Sequence, residues 1–173
     1  MTTIRMAQAS DAEHLPAVER SAAEAFLTLP DLAWIAGREV DTAGQHLATM
    51  TRGPVWVAVD DGDAPLGFLS AEVADDRLHL QELSVRRECQ QRGIGRALVE
   101  QAARWAQDRG LAALTLTTFR DVAWNGPFYQ RLGFEVLAPS EVGPDLALIL
   151  ADETRRGLPS ERRCAMRRPV RRP

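Results

Sequence analysis

The chain has 173 residues, 45% apolar and 26% charged, with a formal net charge of −3. Those values fit one ordinary soluble domain over residues 1–173 and exclude disorder, collagen-like repeats and coiled coil for its bulk. Two cysteines, Cys89 and Cys164, and three dispersed histidines, His14, His46 and His79, form no disulfide framework and no ligand pair, so no metal site is expected. No basic stretch followed by an apolar run opens the chain, and no run of about 18 apolar residues occurs. The expectation is a cytoplasmic protein without membrane attachment. All 21 basic residues are arginine, which reads as the codon usage of a GC-rich bacterial genome. Eight of them lie from Arg155 onward against one acid, Glu161. This tail lacks aromatic interleaving and any recognised nucleic-acid module, so it reads as a solvated end rather than a nucleic-acid contact.

In chain order, Thr3 to Gln8 predicts a short strand. Ser10 and Glu13 have capping-box spacing and are expected to open a helix carrying Leu15, Val18 and Ala22, ending near Phe26. An apolar loop, LTLPDLAWIA, follows, and then a helix from about Val40 to Met50. PVWVAVD, the DDGD turn and PLGFLSAEVA predict an antiparallel hairpin, and a turn at Asp75–Asp76 leads into LHLQELSVR. From Ile94 the period becomes helical through Leu98, Ala102 and Trp105, with Gly110 as C-cap. ALTLTTF is a strand, Asn125 to Leu132 a short helix and FEVLA a strand. Gly143 to Arg156 reads as a helix, and RRCAMRR as a last strand. Hairpins followed by a β-α-β crossover make a mixed sheet with helices on both faces.

The strand running into Gln90-Gln91-Arg92-Gly93-Ile94-Gly95 and directly into a helix is the most informative stretch. Two glycines let the backbone turn sharply, and the helix start offers N–H groups and positive dipole to a pyrophosphate. Arg86, Arg87, Arg92 and Arg96 add charge. Leu98 stands where the dinucleotide fingerprint needs a third glycine, and a chain without lysine has no Walker loop.

This segment resembles the Q/R-x-x-G-x-G/A motif of the GNAT superfamily of N-acetyltransferases. Leu83-Ser84-Val85 is similar to that family's acetyl-binding strand, and Asn125 to Phe134 resembles its N-x-x-x-Y-x-x-L-G-F segment. The likeness covers residues 3–138 best; residues 139–173 add a helix, a last strand and the arginine-rich tail. It implies an α/β (α+β) GNAT-like fold, a mixed, mostly antiparallel central sheet flanked by helices, with a splayed strand pair that binds acetyl-CoA.

Transfer of an acetyl group from a thioester to an amine needs a base, an N–H donor at the developing oxyanion and a proton for the leaving thiolate. By resemblance, Leu83, Ser84 and Val85 hold the pantetheine amides. Gln90, Gln91, Arg92, Gly93, Ile94, Gly95, Arg96 and Ala97 cradle the pyrophosphate. Asn125 binds the pantetheine arm, and Tyr129, the chain's single tyrosine, protonates the sulfur. Glu82 and His79 are both candidates for the base beside a water relay, with Glu82 preferred. Strand parity puts Glu82 with Leu78 and Leu80, and a bulge there would break that parity. Cys89, with no activating His or acid pattern nearby, is not expected to carry a covalent acetyl group.

The acceptor expected is a small-molecule amine, without a metal. The alternatives are a lysine side chain or N-terminus of a protein or peptide, and a non-catalytic acetyl-CoA-binding module. The turn acids Asp60, Asp61, Asp63, Asp75 and Asp76 favour a cationic acceptor. The apolar loop could line a pocket, complete the core or meet a second copy, since family members are often homodimers.

Overall fold

The computed structural model describes residues 1–170; Arg171, Arg172 and Pro173, the end of the arginine-rich tail, lie outside the described residues. The strands are β1 (Thr3–Met6), β2 (Val55–Val59), β3 (Pro65–Ala74), β4 (Arg77–Val85), β5 (Ala113–Phe119), β6 (Glu135–Val136) and β7 (Arg163–Pro169). The helices are α1 (Leu15–Ala23), α2 (Ala43–Arg52), α3 (Ile94–Asp108), α4 (Gly126–Arg131) and α5 (Pro144–Arg155). This is the expected order, a mixed α/β chain whose strands pair mostly antiparallel.

Two compact units can be distinguished, one of residues 1–72 and 80–104 and the other of residues 73–79 and 105–173. In the first, β1 pairs antiparallel with β2 and β2 with β3, with a register shift at Ala58/Val59. Val55, Val57 and Val59 point one way and pack with Leu15, Val18 and Phe68 into an apolar cluster. Trp56 and Ala58 are buried as well, so β2 is covered on both faces. Gly67 lets β3 approach β4 closely, since a Cβ there would sit 2.9 Å from the Ser84 carbonyl oxygen. The second unit holds the parallel step, Arg77–His79 of β4 against Ala113–Thr115 of β5. There β7 runs antiparallel to both β5 and β6. Leu114, Leu116, Phe134 and Met166 are buried in it.

The first turn of the chain differs from expectation. Ser10 and Glu13 do not cap a helix; Ala9–Glu13 is a 3-10 turn and α1 begins at Leu15. Asp11 takes the capping role, accepting from the Gln8 backbone N–H at 2.7 Å while Arg5 of β1 donates two hydrogen bonds to it at 2.8 and 3.0 Å. A charged bidentate partner outweighs a serine hydroxyl. The second helix carries the capping box instead, between Thr42 and Gln45. The apolar loop forms two 3-10 turns, Glu24–Thr28 and Ala33–Gly37. Within it Leu32 is buried, whereas Leu27 and Trp34 are exposed. Among the described residues no helix is long and apolar enough to cross a membrane, and no cluster suited to a metal ion occurs.

Candidate active site

Everything from Leu80 to Arg104 lies in the first unit, so the end of β4, the glycine turn and the first eleven residues of α3 form one continuous framework. Ser84 is buried, and Leu83 and Val85 are half-buried at the strand's end. The chain is then pinned to β3: the Arg86 N–H donates to the Leu66 carbonyl at 2.8 Å and its Nε to the Pro65 carbonyl at 2.9 Å. Arg87 donates its backbone N–H to Ser21 Oγ of α1 at 3.0 Å, which ties that helix to the turn. The Gln90 amide donates to the Val85 carbonyl at 3.0 Å and accepts from Arg87 Nη1. Gln90 therefore braces the loop from within.

Gln91 and Gly93 both adopt positive φ, 61° and 82°. Nothing stands within 4 Å of where a Gly93 Cβ would be, so the turn opens onto free space. The first bond of α3 runs from Ala97 N–H to the Gly93 carbonyl at 3.0 Å, and the N–H groups ahead of it have no partner within the helix. Ile94 is buried and anchors the helix, while Gln91, Arg92, Arg96 and Ala97 are exposed around its start and Gly95 is half-buried. Among the described residues Arg92 and Arg96 have no carboxylate partner. Open space, oriented N–H groups and unpaired arginines suit a pyrophosphate.

Glu82 is half-buried two residues before Ser84. Along β4, Leu78, Leu80 and Ser84 are buried and Glu82 and Leu83 half-buried. Ser84 Oγ donates to Glu82 Oε1 at 2.5 Å. Burial pushes the Glu82 carboxyl up to about 7; the charges of Glu19 and then Asp41 push the same way, and the Ser84 hydrogen bond and His46 oppose them. The carboxylate is thus poised near neutrality. His79 is held by Thr115, its Nδ1 3.0 Å from Oγ1, in the second unit.

Asn125 and Tyr129 also belong to the second unit. Asn125 precedes α4, and its carbonyl accepts the Tyr129 N–H at 3.0 Å, which fixes the two residues one turn apart. Gly126 is required between them, because a Cβ would meet the Arg120 carbonyl oxygen at 2.5 Å. Asn125 Oδ1 is buried without a hydrogen-bond partner. Tyr129 is buried, with its ring edge-on to Phe128 and Phe134 at 5.0 and 5.5 Å. An orphaned amide oxygen costs stability and is the kind of atom an amide-bearing ligand arm satisfies.

Residues 18–134, which span the glycine turn and the Asn125–Phe134 segment, match the model of the acetyltransferase (GNAT) family. The chain belongs to that family. It is an acetyl-CoA-dependent N-acetyltransferase. Over 144 residues it is 31% identical to a peptidyl-lysine N-acetyltransferase, YjaB, of Salmonella typhimurium, covering 82% of this chain and 89% of that one. The fold matches a PaiA N-acetyltransferase from Thermoplasma acidophilum solved with coenzyme A, with a TM-score of 0.73 at 17% identity over 98% and 99% of the two chains. It also matches the ribosomal-protein-S18-alanine N-acetyltransferase of Escherichia coli, with a TM-score of 0.69 at 19% identity over 98% and 94%.

Of the residues singled out from sequence, Glu82, Leu83–Val85 and the 90–97 turn fall in one unit of this acetyltransferase, and His79, Asn125 and Tyr129 in the other. The turn acids expected to draw a cation are engaged elsewhere: Asp61 with the N-terminus, Asp63 with Arg5, and Asp75 and Asp76 with Arg77. The charges that act on Glu82 are instead those of Glu19 and Asp41, with His46 opposing them. No local pattern marks them, since Glu19 occupies an ordinary polar position of an amphipathic helix.

Proposed function

We propose that the chain, acting as one acetyltransferase domain, transfers acetyl directly from acetyl-CoA to a primary alkyl amine, with Glu82 as the base. The observation that carries this reading is Glu82 itself: one oxygen held by Ser84 at 2.5 Å, a carboxyl raised to about 7, and a place in the chain immediately before Leu83–Val85. A base of that strength is half-ionised near neutral pH, where it both accepts and releases a proton.

Acetyl-CoA supplies an activated acyl thioester. The 90–97 turn binds its pyrophosphate, and the Leu83–Val85 backbone and Asn125 hold its pantetheine arm. Glu82 takes one proton from the ammonium, leaving a nitrogen lone pair that attacks the thioester carbon. The C–N bond forms as the C–S bond breaks. Tyr129 donates its hydroxyl proton to the departing sulfur and is restored by the second proton that the nitrogen sheds. His79, with Nδ1 turned to Thr115, is the weaker candidate for the base.

The acceptor we infer is a lysine side chain in a protein or peptide. It is supported by the peptidyl-lysine activity of the Salmonella typhimurium relative, and it reverses the order expected from sequence, where a small-molecule amine came first. The small-molecule reading keeps one observation in its favour: Phe26, Leu29 and Ile35 of the apolar loop are half-buried and could enclose a compact acceptor. A cytoplasmic location goes with either.

CoA release from acetyl-CoA, followed by chromatography with lysine peptides, polyamines, amino acids, aminoglycosides and arylalkylamines, tests the reading in wild type and Tyr129→Phe. We expect release with lysine peptides and a kcat lower by about tenfold or more in the variant, at unchanged acetyl-CoA affinity. Equal turnover in both proteins would remove Tyr129 as the acid, and absence of release with every amine would overturn the transferase reading of this site.

A further inference from the structure

The 3-10 turn Arg87–Cys89 joins the end of β4 to the glycine turn, and Ser21, near the C-terminal end of α1, is fastened to it. Ser21 Oγ accepts the Arg87 backbone N–H at 3.0 Å and donates to Glu88 Oε2 at 3.4 Å. The first N–H groups of a 3-10 turn have no partner within it, so the Arg87 donor is open to a side chain from elsewhere. The turn itself is stiff. The Cys89 N–H donates to the Arg86 carbonyl at 2.8 Å, Cys89 is buried, and Gln90 bridges Arg87 and the Val85 carbonyl. Whatever fixes Leu83–Val85 and the glycine turn therefore fixes Arg87, and through one hydroxyl it reaches α1.

The two halves of α1 are held differently. Leu15 and Val18 sit in the apolar cluster with Val55, Val57, Val59 and Phe68. Ser21, Ala22 and Ala23 are only half-buried, and the chain runs at once into the 3-10 turn Glu24–Thr28 that opens the apolar loop. That loop keeps its shape by short-range bonds: the Leu29, Leu32 and Ile35 N–H groups donate to the Phe26, Leu29 and Leu32 carbonyls, each at 3.0 Å. A segment built on such local bonds, with Leu27 and Trp34 exposed, belongs to the low end of local stability. Its position follows the end of α1, which Ser21 sets.

We propose that Ser21 is a positioning residue that carries acetyl-CoA occupancy to the acceptor loop. Coenzyme held at Leu83–Val85 and the 90–97 turn steadies Arg87, Arg87 steadies α1 through Ser21, and the loop from Phe26 to Ile35 then receives the amine more tightly. This rests on the reading of those two segments as the coenzyme's and of the loop as the acceptor's lining. Glu88 takes the hydroxyl proton, which leaves an oxygen lone pair for the Arg87 N–H. The coupling is bounded by what one hydrogen bond contributes, about fivefold in affinity. By reciprocity the acceptor tightens coenzyme binding by the same factor.

The test begins without any acceptor. Amide hydrogen exchange is followed with and without coenzyme A in wild type, Ser21→Ala and Ser21→Thr. In wild type, coenzyme A is expected to slow exchange in residues 83–97 and, by about fivefold, in residues 21–37. Ser21→Ala should keep the first protection and lose the second, and Ser21→Thr, which retains a hydroxyl, should show both. At saturating acetyl-CoA, Ser21→Ala should raise the KM for Nα-acetyl-lysine amide about fivefold with kcat within about twofold, the signature of lost binding rather than lost chemistry. Ser21→Thr should return KM to within about twofold of wild type. Protection of residues 83–97 without residues 21–37 in wild type would overturn the proposal, as would protection of both in Ser21→Ala. Lost loop protection with an unchanged KM would overturn the loop's part in acceptor binding. No protection of residues 83–97 would remove the coenzyme reading itself. Absence of turnover with Nα-acetyl-lysine amide would count against a lysine acceptor, and the exchange comparison would still decide the coupling.

Discussion

Two carboxylates of the same unit, Asp11 and Glu82, behave in opposite ways. At the corner between β1 and the first 3-10 turn, Asp11 is 4% exposed, yet it accepts two hydrogen bonds from Arg5 and one from the Gln8 N–H. Burial alone would raise its carboxyl, but these donors prevail and hold it below its ordinary value. On β4, Glu82 has a single hydroxyl donor, the charges of Glu19 and Asp41 add to the effect of burial, and it rises to about 7. Burial acts on both; the supply of cations differs. A carboxylate given an arginine is fixed as an anion and serves the fold, whereas one denied an arginine stays exchangeable and can serve a reaction.

Neutralising each carboxylate should separate them most sharply. Glu82→Gln is expected to lower kcat by about a hundredfold or more at pH 7.5, since general-base contributions are of that order. In wild type, kcat/KM should rise with pH through about 7 as Glu82 ionises, and that limb should be absent from the variant. Folding stability should move the other way. Between the unfolded value of 4.5 and the folded value of about 7 the folded chain holds the extra proton, so its stability falls as pH rises through that window. Glu82→Gln should abolish that fall and be the more stable protein at pH 8, by on the order of 1–2 kcal/mol. Urea unfolding at pH 5 and pH 8 measures it, and a Glu82→Gln protein less stable than wild type at pH 8 would contradict the assignment.

Asp11→Asn is expected to do the reverse. It should cost about 2–3 kcal/mol at pH 7, because Arg5 loses its bidentate partner and keeps Asp63 and the Met6 carbonyl. Turnover should remain within about twofold of wild type, as nothing in the chemistry uses Asp11. The stabilisation from a depressed carboxyl is present above its unfolded value of 3.8 and is lost as pH falls through the folded one, so wild type and variant should converge in acid.

The same contrast explains what could be read from the chain beforehand. Strand β3 matches its expected span residue for residue, Pro65–Ala74, because aspartate-rich turns bracket it on both sides: Asp60 Oδ1 accepts the Gly62 and Ala64 N–H groups, and Asp63 and Asp75 take positive φ. The glycine turn was equally visible, since Gly93 needs its φ of 82° and the apolar stripe of α3 starts at Ile94. Local chemistry settles such features. The cap at Asp11 was not legible, because the deciding partner, Arg5, arrives from a neighbouring strand. Glu19, Asp41 and His46 were hidden for the same reason. Each looks like an ordinary polar residue, and its charge acts on Glu82 only in the folded chain. Cation supply is a tertiary property, and it is what distinguishes Glu82 from the turn acids paired with the N-terminus, Arg5 and Arg77.

The smallest perturbation tests how finely Glu82 is set. Ser84 is 4% exposed and its hydroxyl donates to Glu82 Oε1, a bond that favours the ionised form and opposes burial and Glu19. Ser84→Ala removes that donor and little else, since the side chain loses a single oxygen. The carboxyl should then rise further, moving the acidic limb of kcat/KM to higher pH. Turnover at pH 7 should fall by about two- to fivefold, in line with one hydrogen bond of about 1 kcal/mol, and recover toward wild type at pH 9. Recovery is the decisive part. A deficit that persisted unchanged to pH 9 would mean that Ser84 acts on acetyl-CoA rather than on the base, and the set point near 7 would then belong to burial and to Glu19 alone.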